Sequence, residues 1–387
     1  MIIVFALAVS LLLHTYLIYP LLLNILAKNK KSNGIVFSES DEDLPSVSIL
    51  FAAYNEQNAI KEKILSTIQT EYPLDKIEIL IGSDASTDDT NLIIIELAKK
   101  FPQIRFYPFE NRSGKAKIIN TLYDETNYSI LIFTDAKVFF TPSTIFELVK
   151  HLKNPKIQMV GGNLVNKKFH SNGVSVQENT YMNMEMRMKY QEGILWGTVA
   201  GVFGACYAIR KECYNPIPKN FVVDDFYVTM KVLEKGGHVI NEINAICYEN
   251  LASGLKEEFR RKVRISSGNF QNLRYFAKLL FSKRQGLSFS YISHKVLRWI
   301  GPLMIILCFF SGIYLAFYYN IFIYIAILQA FTFSIPLFDW ILSKIQIHIK
   351  LFRYITHFYS MNIALMMGFF KYIRGIKSNV WQPSIRK

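Results

Sequence analysis

The chain has 387 residues, a formal net charge of +14, and a composition that is 51% hydrophobic and 14% aromatic. The apolar residues gather towards the two ends with lysines and arginines beside them, which is typical of cytoplasmic membrane flanks and argues against nucleic acid as the partner. The cysteines Cys206, Cys213, Cys247 and Cys308 have neither metal-ligand nor pairing spacing, so we expect reduced thiols in a cytosolic setting.

Residues 1–27 are predicted to form an N-terminal transmembrane anchor. The run has His14 and Asn24 as its strongly polar side chains, and about 20 apolar residues suffice to cross a bilayer as a helix. A cleaved signal peptide would carry its basic residues before the apolar run, whereas Lys28 comes after it. We therefore expect a retained anchor whose carboxyl end is cytoplasmic, followed by a polar linker at residues 28–44.

Short apolar runs alternate with helical patterns over residues 45–285. Strands are predicted at Val47–Ala53, Ile77–Ile81, Ile104–Tyr107 and in the run ending at Asp135, and helices at Ala59–Thr70, Thr90–Phe101 and Lys115–Asp124. Strands that alternate with helices need crossover connections, so the predicted fold class is α/β with a Rossmann-like, mostly parallel sheet. The sequence has no G-x-G-x-x-G after its first strand and no Walker loop, which excludes those two nucleotide-binding fingerprints.

Residues 286–387 are predicted to hold an interfacial helix and a C-terminal transmembrane region. The segments are an interfacial helix at Leu287–Arg298, spans at Trp299–Tyr319 and Ile321–Leu342, and a more marginal span at Ile355–Tyr372. Three such spans after the anchor would leave a tail containing Arg374 and Lys377 outside, against the positive-inside tendency. We therefore expect a cytoplasmic tail, with one segment re-entrant or interfacial.

Polar clusters follow the predicted strands at four points. They are Ala53-Tyr54-Asn55-Glu56, Ser83 to Thr90, Asn111 to Ala116, and Asp135-Ala136-Lys137. Each alone is typical of a turn or helix cap, and Asp135 alone is equally suited to cap the helix that starts near Pro142. Because the carboxyl ends of parallel strands converge on one edge, where open α/β sheets bind ligands, the four together indicate a site. A carboxylate there suits Mg²⁺ or Mn²⁺ held against a diphosphate.

The order Ala-Tyr-Asn-Glu, Asp-Ala-Ser-Thr-Asp, Gly-Lys-Ala and Thr-Asp-Ala resembles the membrane-anchored family 2 glycosyltransferases with the GT-A fold, which include synthases of the cellulose, chitin and hyaluronan type. The resemblance covers roughly residues 45–283. It implies that Ala53, Tyr54 and Glu56 line a nucleotide pocket, that Asp84 meets the base, that Gly114 lets the backbone approach the diphosphate, and that Lys115 supplies positive charge. It also implies that Asp135 opens the D-x-D motif and binds the divalent cation.

Lys137 departs from this family, which usually has an Asp or Asn at that position. A charged lysine cannot bind a cation as a ligand. It would either neutralise phosphate directly or turn outward and leave the metal to Asp135 and phosphate oxygens, and the sequence does not choose between these.

The run Phe221-Val222-Val223-Asp224-Asp225 opens a predicted helix at Phe226–Lys235. Acids in a first helical turn also complement the helix dipole without any catalytic role. By the resemblance, Asp225 is the base that deprotonates the acceptor hydroxyl and Asp224 is its neighbour, and adjacent carboxylates raise one pKa towards a useful range. Direct attack with a nucleoside diphosphate leaving group gives inversion and needs no second carboxylate as acid, unlike glycoside hydrolysis.

Two further segments resemble motifs of this family: one belongs to the acceptor side, and the other is carried by the members that polymerise sugars. Gly201 to Arg210 matches an acceptor-side strand in which Gly204 and Ala205 let the sugar approach, although a tightly packed core strand is an equal reading. Arg260 to Ile265 falls where polymerising members carry Q-x-x-R-W. The arginine is matched by Arg264, whereas Arg261 and Ile265 replace Gln and Trp. These cations suit a diphosphate or lipid phosphates, or simply a solvated basic helix.

The sequence thus predicts an integral membrane, inverting glycosyltransferase at the cytoplasmic face of the plasma membrane. It would use a nucleotide sugar, with UDP-sugars expected, and a lipid-linked or growing glycan acceptor. Trp381 to Arg386 distantly resembles the gating segment of polymerising relatives. The predicted C-terminal spans mildly favour a processive polysaccharide synthase, while the missing Trp at position 265 argues against it. A catalytically silent nucleotide-sugar-binding regulator is a further alternative, favoured by Lys137.

Overall fold

An eight-stranded mixed sheet forms the centre of the protein, whose computed structural model describes residues 1–30, 34–166, 175–249 and 255–376. The strands are β1 (Val47–Ala53), β2 (Ile77–Asp84), β3 (Ile104–Phe109), β4 (Ile130–Thr134), β5 (Val138–Phe140), β6 (Ile157–Asn166), β7 (Cys206–Arg210) and β8 (His238–Glu249). Their order is β3-β2-β1-β4-β7-β6-β8-β5. Four of the seven neighbouring pairs are parallel, and β7 and β5 supply the antiparallel pairs.

The helices cover both faces of this sheet and extend from it at the two chain ends. They are α1 (Ile2–Ala27), α2 (Ile60–Ile68), α3 (Thr90–Lys100), α4 (Lys115–Asp124), α5 (Thr144–Val149), α6 (Ser175–Trp196), α7 (Asp224–Glu234), α8 (Leu255–Tyr275), α9 (Leu287–Trp299), α10 (Gly301–Ala316), α11 (Asn320–Lys344) and α12 (Lys350–Ile373). Short 3₁₀ turns lie at Leu74–Lys76, Lys150–Lys153, Lys211–Cys213 and Ala277–Phe281.

The central strands are buried on both faces, as their continuous apolar runs predict. Successive side chains of a strand point to opposite faces, so Ile49 belongs to the core cluster under α2 and α5 while its neighbour Leu50 belongs to the cluster under α4 and α7. The same alternation separates Ile132 from Leu131 on β4. These two cores hold β1, β2 and β4 in parallel register, with Ala53 opposite Ser83 and Leu50 opposite Phe133.

The predicted α/β fold is confirmed, and three predicted elements need correction. The strand predicted from Gly201 begins only at Cys206, because Gly201 takes φ +92° and the chain turns there. The helix predicted from Phe226 begins at Asp224, so both acids lie inside its first turn. Asp135 does not cap α5, whose N-cap residue is Ser143, and its carboxylate instead accepts from a lysine.

Two helices, α1 and α11, are long and apolar enough to cross a membrane, and α9 with α10 makes a third if that pair, bent by 62°, is one span. Within the described residues α12 does not meet the same criterion, and the marginal span predicted at Ile355–Tyr372 stays a prediction. This helix packs on α8, where Gly368 approaches Ser266 so closely that an added Cβ would lie 2.3 Å from the serine Cβ. The gating-like segment at Trp381–Arg386 lies outside the described residues.

Candidate active site

A cavity of about 990 Å³ lies at the carboxyl edge of β1, β2 and β4. It brings together thirteen of the residues singled out from the sequence, namely Ala53, Tyr54, Glu56, Asp84, Lys115, Asp135, Lys137, Gly204, Ala205, Asp224, Asp225, Arg261 and Arg264. Strand ends 30 to 80 residues apart in sequence therefore meet at one edge, as parallel register requires. Gly114 lies behind this lining and shapes the turn next to it.

The donor-side wall is fixed by the Asp84 carboxylate, which is buried. It accepts hydrogen bonds from the backbone N–H groups of Ser113 and Gly114 and from the guanidinium of Arg112, at 3.1 Å for Arg112 Nε. Gly114 has φ +82°, a conformation that side chains other than glycine's rarely adopt. Arg112 in turn lies 3.3 Å from the ring centroid of Tyr54, so the ring and the carboxylate form one rigid wall.

Lys115 lies at the centre of the acidic part of the cavity. Its Nζ donates to Asp135 Oδ1 at 2.9 Å and lies 3.3 Å from Asp224 Oδ2. Burial alone would lower the pKa of Lys115, but the adjacent carboxylates of Asp135 and Asp224 outweigh it and raise that pKa, so the side chain is a permanent cation. One ammonium thus links the strand end of β4 to the first turn of α7.

Lys137 forms an ion pair with Glu56, whose side chain is 2% exposed, at 3.1 Å. Both side chains line the cavity. The pair joins the loop after β1 to the loop after β4. Lys137 therefore does not turn outward from the cavity, and the Asp135 carboxylate is engaged by Lys115.

The acids of α7 have different environments although they are adjacent. Burial, reinforced by the neighbouring charge of Asp224, raises the pKa of Asp225 to about 6, against opposing effects of Lys115 and of the Phe226 N–H that Asp225 Oδ1 accepts at 2.8 Å. Asp224 has Lys115 as its cationic partner. A carboxylate whose pKa lies near neutrality suits proton transfer, whereas one held against a cation suits charge balance.

The loop before β7 leaves space beside Asp225. A Cβ added at Gly204 would lie 2.8 Å from Asp225 Oδ2, so any larger side chain would press on the carboxylate. The acceptor-side loop is thus shaped by small residues, although it is a turn rather than the strand expected from the sequence.

Three arginines of α8 face the same cavity but are engaged differently. Arg261 is held by Glu258 through two contacts of 2.9 Å, made by its Nε and Nη2. Arg264 and Arg260 form no ion pair with any residue that the structure describes. Arg264 therefore has the guanidinium available for an anion, and Arg261 does not.

Sequence reasoning missed a group of charged side chains that line another part of the same cavity. Glu185 on α6 is contacted by Lys295, by Arg298 Nη1 at 2.8 Å and by His294 Nε2 at 2.9 Å. Burial opposes ionisation of Glu185, but these neighbours hold its pKa well below the ordinary range. Lys189, one turn further along, is buried with its Nζ 3.4 Å from the ring centroid of Phe203, and burial lowers its pKa to about 7. Polar and apolar residues alternate around α6, so the sequence gives no signal that distinguishes the buried Glu185 and Lys189 from exposed residues of the same helix.

Among the residues described here, no cluster of three His, Cys, Asp or Glu side chains could hold a metal unaided. Mg²⁺ and Mn²⁺ are nonetheless commonly bound by one or two carboxylates together with substrate phosphates. Asp135, with 43% of its side chain exposed to the cavity, fits that incomplete donor set.

The sheet order and the cavity at its edge are those of a glycosyltransferase with the GT-A fold. Residues 48–217 match the family model described as Glycosyl transferase family 2. The family 2 resemblance of the motifs is thus confirmed over these residues, which make up less than half of the chain.

Similar proteins support the same assignment. The chain is 26% identical over 262 residues to the probable glycosyltransferase YdaM of Bacillus subtilis, a match that covers 65% of this chain and 62% of that protein. It is 24% identical over 290 residues to a poly-β-1,6-N-acetyl-D-glucosamine synthase of Staphylococcus epidermidis, with 73% and 69% covered. The solved mannosyltransferase PcManGT from Pyrobaculum calidifontis, in complex with GDP-Man and Mn²⁺, superposes with a TM-score of 0.73 at 20% identity, covering 96% of this chain and 99% of that one. That last likeness establishes the GT-A fold.

Proposed function

We propose that this protein is a membrane-bound inverting glycosyltransferase that moves a sugar from a nucleoside diphosphate sugar, expected to be a UDP-sugar, to a lipid-linked or growing cell-surface glycan. We place its catalytic domain at the cytoplasmic face of the plasma membrane. One observation carries the proposal. The lining of the 990 Å³ cavity extends from Tyr54 and Asp84, on the donor side, past Asp225 to Tyr16 of α1 and Phe358 of α12.

The donor half of the cavity has the charge that a nucleoside diphosphate needs. The ring of Tyr54 offers a face on which the nucleotide base can stack, and Asp84 offers a polar group beside it. Lys115 and Arg264 supply fixed positive charge for the diphosphate, and arginine suits phosphate oxygens because its planar guanidinium donates several parallel hydrogen bonds. Asp135 is the residue that would hold Mg²⁺ or Mn²⁺, and such an ion would offset the charge of the departing diphosphate.

The acceptor half supports direct displacement. The acceptor hydroxyl would enter beside Gly204, and its oxygen would attack the anomeric carbon as the carbon–oxygen bond to the diphosphate breaks. Asp225 would take the hydroxyl proton, which its pKa of about 6 allows at neutral pH. One displacement on the face opposite the leaving group inverts the anomeric configuration.

The position of the acceptor end favours a membrane-borne acceptor. Residues of α12 such as Phe358, Met361 and Leu365 line the cavity together with Tyr16, which belongs to a helix long and apolar enough to cross a membrane. A glycan attached to a lipid could thus present its hydroxyl to Asp225 while its lipid stays near α1.

A processive polysaccharide synthase is the second candidate, favoured by the length of this cavity and by the synthase named among the similar proteins. Ile265 weakens it, because an aliphatic side chain offers no stacking platform to a growing glycan. A silent regulator is disfavoured, because the base, the cations and Asp135 all line one cavity.

The test is a screen of UDP-, GDP- and dTDP-sugars for nucleotide release by the full-length chain in detergent with added membrane lipids and Mg²⁺ or Mn²⁺. Release from one sugar nucleotide, coupled to labelling of a lipid extract, supports the proposal. Labelled products of increasing length would favour the processive candidate. Tight nucleotide-sugar binding with neither release nor transfer would refute the enzyme and leave the regulator.

A further inference from the structure

A second cavity, of about 500 Å³, lies beside the carboxyl end of α1, and none of its lining residues belongs to the proposed active site. Its walls come from α1 and the residues after it, from the outward side of α6, and from β6 and β8. The charged residues among its lining are Lys28, Lys30 and Arg187, and the lining contains no Asp or Glu.

These three cations have no carboxylate partner in the part of the chain that the structure describes. All three side chains are exposed, and none forms an ion pair with a residue in the described ranges. By contrast, Lys262 and Lys295 each contact a glutamate. Converging like charges without counter-charges produce a local positive potential that attracts an anion.

The floor of the cavity is polar and fixed. Gln191 is 7% exposed and donates from Nε2 to Asn24 Oδ1 at 2.8 Å, which joins α6 to the end of α1. Its Oε1 is buried without a hydrogen-bond partner among the described residues. Asn163 donates to the carbonyl of Ile243 at 2.8 Å on the opposite wall. The cavity is thus a built recess rather than a gap between loose side chains.

Exposed apolar side chains lie next to Lys28 along α1 and in the wall of the cavity. Ile25 and Leu26 on α1 are 72% and 44% exposed, and Ile243 is 39% exposed. α1 itself meets the length and apolarity of a membrane span. An anion that binds here would therefore sit beside hydrocarbon, which matches the phosphate of a phospholipid and does not match a free ion in water.

We propose that this cavity binds the phosphate headgroup of an anionic membrane phospholipid, with its acyl chains along Ile25 and Leu26. Such binding would place the α1–α6 junction in the headgroup layer, where basic pockets beside membrane helices recognise anionic lipids. The site is separate from the catalytic cavity, so it holds whether or not the transfer reaction is as proposed above.

The experiment is native mass spectrometry of the full-length chain in non-ionic detergent, titrated with phosphatidylglycerol or with phosphatidylcholine of the same acyl chains. The test variant carries Lys28→Gln, Lys30→Gln and Arg187→Gln together. A single variant, Arg187→Gln, guards against any folding defect of the triple change. The matched control removes the same charge elsewhere through Lys61→Gln, Lys99→Gln and Lys100→Gln, at exposed positions of α2 and α3.

The wild-type chain should retain phosphatidylglycerol in preference to phosphatidylcholine. The triple variant should bind phosphatidylglycerol at least about tenfold more weakly and Arg187→Gln about fivefold more weakly, in line with the contribution of each cation near an anionic lipid. The control variant should bind it like wild type. Equal retention of both lipids, or an equal loss in the control, would overturn the proposal. Displacement of the lipid by millimolar inorganic phosphate would also overturn it and identify a free-phosphate site.

Discussion

Replacing Asp225 by Asn should separate chemistry from binding. The amide keeps the size of the carboxylate and an oxygen that can accept from the Phe226 N–H, but it cannot take up the acceptor proton. We expect transfer to fall by about 10²- to 10⁴-fold, the usual contribution of a positioned general base, while donor affinity stays near wild type. Transfer measured as nucleotide release, and donor binding measured by calorimetry, give the two quantities.

The same change should stabilise the protein above pH 6. Burial raises the pKa of Asp225 from 3.8 to about 6, so the fold disfavours its charged form. That destabilisation is absent below about pH 4, grows between pH 4 and 6, and is complete above 6, where it amounts to about 2–3 kcal/mol. The Asn variant lacks it, so its thermal unfolding temperature should exceed that of wild type by a few degrees at pH 7.5 and lose this advantage towards pH 4.5.

The pH dependence of the wild-type rate should follow the ionisation of Asp225. kcat/KM should rise with pH through about 6, as Asp225 becomes ionised. In the control variant Asp224→Asn this limb should move to lower pH, because the neighbouring charge that helps raise the Asp225 pKa is gone. Near wild-type transfer by Asp225→Asn would refute the base assignment and make Asp224 the candidate. Donor affinity lost in parallel with rate would instead assign Asp225 a binding role.

Three further predictions test the walls of the cavity. Gly204→Ala should lower kcat about 10²-fold with little change in donor affinity, because its Cβ would displace the Asp225 carboxylate; an unchanged kcat would show that this loop does not face the acceptor. Glu185→Gln should destabilise the fold by about 3–5 kcal/mol, measured by thermal unfolding, since it leaves buried cations without their shared carboxylate; an unchanged melting temperature would contradict this. Arg264→Gln should weaken nucleoside diphosphate binding about tenfold and Arg261→Gln much less, because Arg261 is already held by a carboxylate; equal losses would refute the distinction.

The sequence predicted the parts of the fold that depend on neighbouring residues. β1 matches its predicted bounds because a continuous apolar run between polar turns can be buried in full only as a strand in the middle of the sheet. Asp84 and Asp135 follow such runs, so their convergence could be predicted from parallel topology alone. The start of β7 could not, because the positive φ of Gly201 depends on its packing against Phe226, where an added Cβ would lie 2.6 Å from the ring.

Contacts between distant segments explain the remaining misses. Glu185 and Arg298 are 113 residues apart in sequence, and no local pattern pairs them. The marginal span predicted over α12 stays a prediction, and the apolar content of this helix did not reveal the close approach of Gly368 to Ser266 on α8. Composition measures how apolar a helix is, and only the tertiary structure determines whether protein or lipid covers it.

Lys137 is the position where the chain departs from the family 2 motif that it resembles, and its ion pair with Glu56 changes what each substitution should do. Because Glu56 is 2% exposed, Lys137→Ala would leave a buried carboxylate without this cation. We expect a moderate loss of donor affinity through Glu56, and a smaller loss of transfer than for Asp135→Ala, which removes the carboxylate suited to a divalent ion. The double variant Lys137→Ala/Glu56→Gln should recover part of the donor affinity, since the buried negative charge is removed together with its cation.

Metal dependence follows from the same geometry. An ammonium and a divalent ion in direct contact would repel by several kcal/mol even at an effective dielectric constant near 20, so both can serve the diphosphate only on different oxygens. The pair with Glu56 allows this by holding the Lys137 ammonium on another carboxylate, leaving Asp135 for a metal together with phosphate oxygens. Chelation should therefore stop transfer, and Mn²⁺ binding followed by electron paramagnetic resonance should require both nucleoside diphosphate and Asp135. Undiminished turnover after exhaustive chelation, with no Mn²⁺ bound in the presence of nucleotide, would refute this reasoning and make lysine the counter-charge of the leaving group.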